Sequence, residues 1–168
     1  MRVLQLVGLL LGLLACVPRK SVSPPSESSN DTGDVSGSAI TLERTACFGS
    51  CPVYRISVSP GGAVSYEGKA HVQRLGPATG QIPTGQVNAL LSEMEKAGYF
   101  SFAPRYVPAE PACGRYSTDS PSAITSVQLR GRTMRIEHDY GCGAAPGALV
   151  VLERRIDEVL GSAQWTGR

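Results

Sequence analysis

A short apolar run at the N terminus most constrains this chain, because it decides the compartment in which the rest must fold. Arg2 supplies a positive charge, and residues 3–15 are apolar apart from Gln5 and two glycines. These 13 residues are too few for a transmembrane helix, which needs roughly 20. The run therefore predicts a signal peptide, residues 1–15, that directs export and is then removed.

The end of this run resembles the lipobox of bacterial lipoproteins. Leu13 and Ala15 occupy the −3 and −1 positions before Cys16, whereas a simple secretory signal has small residues at both. We expect cleavage before Cys16 and lipidation of its thiol, with fatty acyl chains such as palmitate anchoring the protein to a membrane without spanning it. By analogy with lipoprotein sorting, Val17 favours the outer membrane. The alternatives are an ordinary signal peptide or an uncleaved anchor.

The next segment is predicted to be a flexible tether. Residues 17–38 are rich in serine, proline and glycine and offer almost no apolar side chains to bury. A flexible chain of this length spans roughly 25 Å on average. We therefore expect a tether that includes the lipidated Cys16, residues 16–38, followed by one globular domain, residues 39–168.

Composition excludes one class of partner. The chain has 16 Lys and Arg against 14 Asp and Glu, a net charge of +2, without a basic cluster. It therefore lacks the electrostatic footprint of a nucleic-acid-binding protein. The 19 glycines and 12 prolines predict many turns and modest helix content.

Four cysteines remain once Cys16 is lipidated: Cys47, Cys51, Cys113 and Cys142. An even number in an exported domain predicts disulfides, and four cysteines allow three connectivities. We favour Cys47–Cys51 and Cys113–Cys142. By loop-closure entropy the short ring contributes about 2 kcal/mol and the long one about 3.6 kcal/mol, so the second pair is the main structural constraint.

Hydrophobic periodicity predicts an α+β domain. Alternating residues indicate three strands that begin near Ile40, Tyr54 and Val64, with a further extended piece around residues 69–75. A helix follows between Pro83 and Gly98, then a long ordered loop over residues 103–122, a hairpin, and a last helix from Pro146 to Gly161. The order β-β-β-α-β-β-α predicts an antiparallel sheet with two helices packed on one face. Trp165 is expected to fold back onto the core.

The segment Cys47-Phe48-Gly49-Ser50-Cys51-Pro52-Val53-Tyr54 resembles the core motif of DUF6438, a bacterial family of unknown function. The resemblance covers roughly residues 38–165. It implies an exported and often lipid-anchored domain, and it supplies no activity and no catalytic residues. Cys113 and Cys142 lie outside the motif, which supports treating them as a separate pair.

A thiol-redox or copper-binding role is the main alternative for the short ring. Copper-delivery proteins of the thioredoxin fold carry a similar Cys-x-x-x-Cys-Pro motif with a distant histidine, and His138 lies 87 residues after Cys51. Two thiolates and one imidazole suit a soft metal ion. However, a strand pattern follows Cys51, so a helix N-terminus would not activate the thiols. A structural disulfide is the preferred interpretation.

Arg44 lies on the same face of its strand as Ile40 and Leu42, so it needs a carboxylate partner, for which Asp119 is the candidate. One interpretation is a structural ion pair that holds the long loop. The functional alternative is a recognition pocket formed by Arg44, Tyr54, Tyr106 and Asp119. No catalytic triad elbow and no phosphate-binding glycine loop is recognisable in the sequence.

These features together predict a membrane-anchored lipoprotein of the bacterial cell envelope, facing the periplasm or the cell surface. We expect a non-enzymatic binding or structural module without a cofactor, whose partner is an envelope protein or peptidoglycan. A hydrolase with an unrecognised site is a weaker alternative.

Overall fold

The structure is a computed structural model that describes residues 39–168. The predicted signal peptide, the predicted lipidation site Cys16 and the predicted tether lie outside the described residues. Within residues 39–168, no helix is both long and apolar enough to cross a membrane.

Seven strands form one sheet, and the helices follow the strands in two places. The strands are β1 (Ile40–Arg44), β2 (Val53–Val58), β3 (Ala63–Ala70), β4 (Gly76–Gln81), β5 (Arg105–Tyr106), β6 (Ser122–Leu129) and β7 (Arg132–Asp139). The helices are α1 (Thr84–Lys96), α2 (Gly147–Leu160) and the short α3 (Ala163–Thr166), with 3₁₀ turns at Tyr99–Ser101 and Pro111–Cys113. The strand order across the sheet is β4-β3-β2-β1-β6-β7-β5.

The α+β class is confirmed, but the predicted element order and the purely antiparallel sheet are wrong. An additional strand, β4, pairs antiparallel with β3 over residues 76–81, and the piece predicted around residues 69–75 is mostly the bend before it. Its sequence, Gly-Pro-Ala-Thr-Gly-Gln, has little strand propensity, and only an edge position tolerates its proline. The second difference is β5, which lies within the predicted loop and pairs in parallel with β7.

The inner face of the sheet consists of cross-strand rows, two of which are mainly apolar. One row aligns Ile40 with Val58 and Val127, and the next aligns Leu42 with Ile56 and with the buried Thr125. The third row is different: from β3 to β5 it runs Gly68, Tyr54, Arg44, Ala123, His138 and Tyr106. The register therefore gathers polar residues from four strands, Tyr54, Arg44, His138 and Tyr106, at one end of a mainly apolar face.

Both long helices supply buried side chains to the core. In α1 these are Val87, Leu90, Leu91 and Met94, and in α2 they are Leu149, Leu152, Glu153, Ile156 and Leu160. Each fully buried large apolar side chain contributes about 1.5–3 kcal/mol. The predicted helix ends are confirmed, because Pro83 and Pro146 precede the helices while Gly98 and Gly161 follow them with positive φ.

The C terminus closes the core next to β3, as predicted. Trp165 stacks on Tyr66 with ring centroids 4.8 Å apart. Gly80 allows this approach, since a Cβ atom there would lie 3.3 Å from the Trp165 ring.

Backbone hydrogen bonds and the buried Cys113–Cys142 disulfide order the long loop. Ala144 donates to the Cys113 carbonyl at 3.0 Å, and Gly143 donates to the Arg115 carbonyl at 2.8 Å. The loop is thus joined to the segment between β7 and α2. This confirms the prediction of an ordered loop held by a disulfide.

Candidate functional site

The connection between β1 and β2 is a loop closed by the Cys47–Cys51 disulfide. We call residues 47–51 the Cys47–Cys51 ring. Other parts of the chain also hold it: the amide of Phe48 donates to the Asp119 carbonyl at 3.1 Å, and Arg168 donates to the Ser50 carbonyl at 2.9 Å. Gly49 adopts a φ of 142°, which a residue with a side chain rarely does. The ring is therefore a rigid surface feature.

Both predicted disulfide pairings are present, and they differ in exposure. Cys113 and Cys142 are buried, with 2% and 4% of their surface exposed. Cys47 and Cys51 are partly exposed. Disulfides persist in oxidising compartments outside the cytosol, so the two pairs indicate that this domain matures there.

Behind the ring lies the polar cluster, which we define as Arg44, Tyr54, His138, Tyr140, Glu153 and Asp157. Arg44 donates to Asp157 Oδ2 from Nε at 3.2 Å and from Nη2 at 2.8 Å. Its Nη2 also donates to the Glu153 carbonyl at 3.2 Å, and its Nη1 donates to the Tyr140 hydroxyl. Four of the five N–H groups of Arg44 are thus bonded within the cluster. The partner of Arg44 is Asp157, so the prediction of Asp119 is wrong.

Two tyrosine hydroxyls connect the charged groups of the cluster. Tyr54 donates to Asp157 Oδ1 at 2.5 Å, while Tyr140 accepts from Arg44 and donates to Glu153 Oε2 at 2.7 Å. The Arg44 guanidinium also lies over the Tyr140 ring, 5.6 Å from its centroid. Each polar atom in these contacts therefore has a charged partner, which offsets the cost of removing it from water.

The most deeply buried pair is His138 with Glu153, which are 2% and 0% exposed. Nδ1 of His138 lies 2.9 Å from Glu153 Oε1. The His138 ring also packs against Tyr140, with centroids 4.6 Å apart, and edge-on against Tyr106 at 6.0 Å. His138 is therefore a core residue bonded to a carboxylate, and its imidazole does not face solvent.

The surroundings change the proton affinities of three cluster residues. Burial raises the pKa of Tyr54 and of Tyr140, and the neighbouring Asp157 and Glu153 carboxylates raise it further. Burial by itself would lower the pKa of Arg44, but the charge and hydrogen bonds of Asp157 and Tyr140 outweigh it and raise the pKa. At neutral pH the guanidinium is charged and both phenols are protonated, so these groups are not available as bases.

Both carboxylates come from α2, and sequence reasoning missed them. Glu153 and Asp157 are separated by one helical turn, which places them on the same face. The apolar stripe of α2 includes Leu149, Leu152 and Ile156, and both acidic residues interrupt it. An acidic residue inside an apolar helical stripe is a sequence signal for a buried carboxylate, and it was present here.

A cavity of about 170 Å³ opens between the polar cluster and the Cys47–Cys51 ring. Its lining consists of Arg44, Thr45, Cys51, Pro52, Tyr54, Pro121 and Tyr140. Apart from Arg44 and Thr45, these residues are tyrosines, prolines and a disulfide cysteine, and most of the lining surface is apolar. The cavity therefore suits an apolar or aromatic group.

The structure brings together only part of the predicted recognition pocket. Arg44 and Tyr54 line the cavity, whereas Tyr106 and Asp119 are not among its lining residues. Tyr106 is buried on β5, where its hydroxyl accepts a hydrogen bond from the Ala103 amide at 3.0 Å. Asp119 contacts the ring through its carbonyl, while its carboxylate accepts from Thr118 at 2.9 Å.

The alternative metal set, Cys47, Cys51 and His138, is not brought together. The two thiols are joined to each other, and His138 is bonded to Glu153 in the core. Among residues 39–168 no group of three or more His, Cys, Asp or Glu side chains is arranged to hold a metal ion.

Comparison with known protein families decides the family of this domain. The profile of DUF6438, a domain of unknown function, matches residues 38–160. The chain belongs to the DUF6438 family. The match includes the Cys47–Cys51 ring, the cavity-lining residues and both carboxylates of α2, so the site described above lies entirely within the family domain. No curated protein matches the chain significantly.

Proposed function

We propose that this DUF6438 protein is a lipid-anchored lipoprotein of the bacterial envelope whose domain binds a partner at the cavity beside the Cys47–Cys51 ring. The binding role is supported by the way in which the groups of the polar cluster are bonded. Its charged groups are bonded to one another and its tyrosines are protonated, while the cavity above it is lined mainly by apolar atoms. Such an arrangement presents a rigid surface for recognition.

The proposed anchor follows from the sequence before the domain. Three or more acyl chains on Cys16 would hold the protein permanently at a bilayer, and a tether of residues 16–38 would keep the domain clear of the lipid headgroups. Two disulfides in the domain agree with export. The outer membrane is the proposed location, and the partner is an envelope protein or peptidoglycan.

Intact mass spectrometry of the protein extracted from membranes tests the anchor. We expect the loss of residues 1–15, the added mass of acyl groups on Cys16 and no free thiol. The Cys16→Ser variant should lose the lipid mass and partition into the soluble fraction. An unprocessed chain, or one with free thiols at Cys47 and Cys51, would overturn this part of the proposal.

Nuclear magnetic resonance of the soluble Cys16→Ser chain tests the cavity. Solubilised peptidoglycan fragments are the first probe, with amide shifts expected at Thr45, Cys51 and Tyr140. A Tyr140→Leu variant should weaken those shifts. Shifts that map to another part of the domain would remove the cavity from the proposal.

A second candidate is thiol exchange at the ring, which is favoured by its exposure. Cys47 and Cys51 are partly exposed whereas the other disulfide is buried, so an incoming thiolate could reach only the ring readily. Copper binding would require reduction of the disulfide that closes the ring and movement of His138 toward the two thiols. Titration with copper(I), comparing the native chain with Cys51→Ser, distinguishes this role: retained copper that depends on Cys51 would favour it.

A further inference from the structure

Phe48 is the most exposed large apolar side chain in residues 39–168, with 87% of its surface accessible to solvent. It projects from the Cys47–Cys51 ring, which the disulfide, the Asp119 carbonyl and Arg168 hold in place. Because the backbone of the ring is already held in place, little backbone entropy is lost when the exposed aromatic side chain binds. Phe48 therefore has the properties of an interface anchor.

The adjacent cavity has the size of an aromatic ring. Its volume of about 170 Å³ is comparable to that of an engineered apolar protein cavity of about 150 Å³ that binds benzene. The hydroxyls of Tyr54 and Tyr140 are already bonded to Asp157 and Glu153. An occupant without polar groups, such as a phenyl ring, would leave none of these atoms unpaired.

We infer that two copies of this chain pair through this face, each inserting Phe48 into the cavity of the other. This inference rests on the proposed binding cavity and identifies its partner as a second copy. The anchor and the cavity belong to the same short stretch, since Cys51 and Pro52 line the cavity just after Phe48. A two-fold axis through such a face matches both anchors with both cavities at once, as in a self-complementary dimer.

The contacts inside the cavity favour a phenyl ring chemically. The inserted Phe48 would meet the Tyr54 and Tyr140 rings, and aromatic pairs attract each other edge-to-face. It would also meet the guanidinium of Arg44, the one charged group in the lining. Since four N–H groups of Arg44 are bonded within the polar cluster, that guanidinium is held in place for the ring.

The area available predicts that pairing depends on the membrane. Two aromatic side chains bury about 300–500 Å² in total, whereas stable interfaces bury about 1,200–2,000 Å². Phe48 and its cavity therefore form the centre of a weak interface in dilute solution. Confinement of lipid-anchored copies to one membrane surface raises their effective concentration and shifts the equilibrium toward the dimer.

Photo-crosslinking from position 48 tests the inference directly. The full lipidated chain, with Phe48 replaced by photoreactive benzoyl-phenylalanine, is illuminated in native membranes. We expect a covalent dimer whose crosslinked peptide contains Pro121 or Tyr140. The same probe at Leu75, which is 63% exposed, is the control and should give little dimer. Crosslinking mainly to lipid, to a different protein, or within one chain would overturn the inference.

A pair of complementary variants tests the anchor and the cavity separately. Phe48→Ala removes the anchor, and Pro121→Trp fills the cavity while keeping the carbonyl that Tyr140 uses. Energy transfer between labelled copies in vesicles should show each variant associating at least tenfold more weakly than the native chain. Mixing the two should restore part of the association, because one anchor and one cavity remain.

Val151→Ala removes an exposed apolar side chain elsewhere and should leave association unchanged. If Pro121→Trp fails to fold, Phe48→Ala alone tests the inference. The Phe48 side chain makes almost no contact within its own chain, so removing it should not affect folding. Unchanged association of Phe48→Ala would overturn the inference. The acyl mass on Cys16 is measured on the same samples, so an anchored protein that stays monomeric contradicts the dimer without contradicting the anchor.

Discussion

Arg44 at the end of β1 and Asp157 on α2 form an ion pair of 2.8 Å that joins the sheet to the helix across 113 positions of sequence. The pair is mostly buried, with side-chain exposures of 14% and 21%. It holds the last turns of α2 over the third row of the sheet and fixes the position of Arg44, which lines the cavity. The same contact therefore links the stability of the domain to the shape of its candidate site.

Breaking this ion pair from one side should be costly. Asp157→Asn or Arg44→Met leaves a mostly buried partner uncompensated, and we expect a loss of about 2–4 kcal/mol in the free energy of unfolding. The double variant should lose less than the sum of the two. Urea denaturation measures these values. Glu43→Gln, which removes the partly exposed pairs with Lys69 and Arg55, is the control and should cost less than about 1 kcal/mol. An additive double variant would show that the pair is not coupled.

Two buried tyrosines should respond in opposite ways to loss of the hydroxyl. The hydroxyl of Tyr66 is buried and has no hydrogen-bond partner within residues 39–168, so Tyr66→Phe should stabilise the domain by about 1 kcal/mol. Tyr99 is hydrogen bonded to Thr125 at 2.6 Å, so Tyr99→Phe should destabilise it by about 1 kcal/mol. Thermal unfolding followed through the single tryptophan compares them. A loss of stability in Tyr66→Phe would indicate a partner such as a water molecule.

The two disulfides should differ in their contribution to stability and in their reactivity. Removing Cys113–Cys142 by a double serine substitution should cost about 3.6 kcal/mol, against about 2 kcal/mol for Cys47–Cys51. Mild reductant should open the partly exposed ring first, as followed by alkylation and peptide mass spectrometry. Reduction of the buried pair before the ring would contradict this order.

Alkaline conditions should destabilise the domain. Burial raises the pKa of Tyr54, Tyr99 and Tyr140 above the ordinary value of 10.0, so these phenols keep their protons in the folded state when the unfolded chain loses them. The stabilisation from each is complete below pH 10 and is lost as the pH rises toward the folded-state pKa. Urea midpoints of the Cys16→Ser chain should therefore fall between pH 9 and pH 11.

Tyr99→Phe offers a control for this dependence. The variant has one phenol fewer to titrate, so its midpoint should fall less steeply with pH than that of the parent chain. Absorbance of tyrosinate at these pH values identifies the phenols that ionise before unfolding. A midpoint that stays constant to pH 11 would contradict the raised pKa values.

Much of the fold was accessible from local patterns. The alternation in β1 and β2 and the helical stripe of α1 were each strong enough to assign alone, because a half-buried element repeats its apolar residues at its own period. The weak strand β4 was missed because it lacks such a repeat. Its residues, Gly76 to Gln81, carry no apolar alternation, and it is a strand only because β3 offers it an edge.

The candidate site was accessible only in part. Arg44 was recognisable as a charged residue on an apolar strand face, but Asp157 as its partner was not. Asp119 lies in the long loop and looks suitable in sequence. However, its backbone has a φ of 70°, its carbonyl accepts from the Phe48 amide, and its carboxylate accepts from Thr118. Which carboxylate reaches Arg44 depends on how α2 packs across the sheet.

The amino-acid sequence by itself determined the α+β class, the family and the ends of both long helices, because these depend on residue type and local spacing, whereas it only favoured one of three possible cysteine pairings. Only the tertiary structure decided which side chains meet: strand register placed Arg44, Tyr54 and His138 in one row, and the packing of α2 brought Glu153 and Asp157 onto it. The physical reason is that a buried charge is stabilised by whichever opposite charge packing brings within hydrogen-bonding distance, and no local pattern specifies that distance.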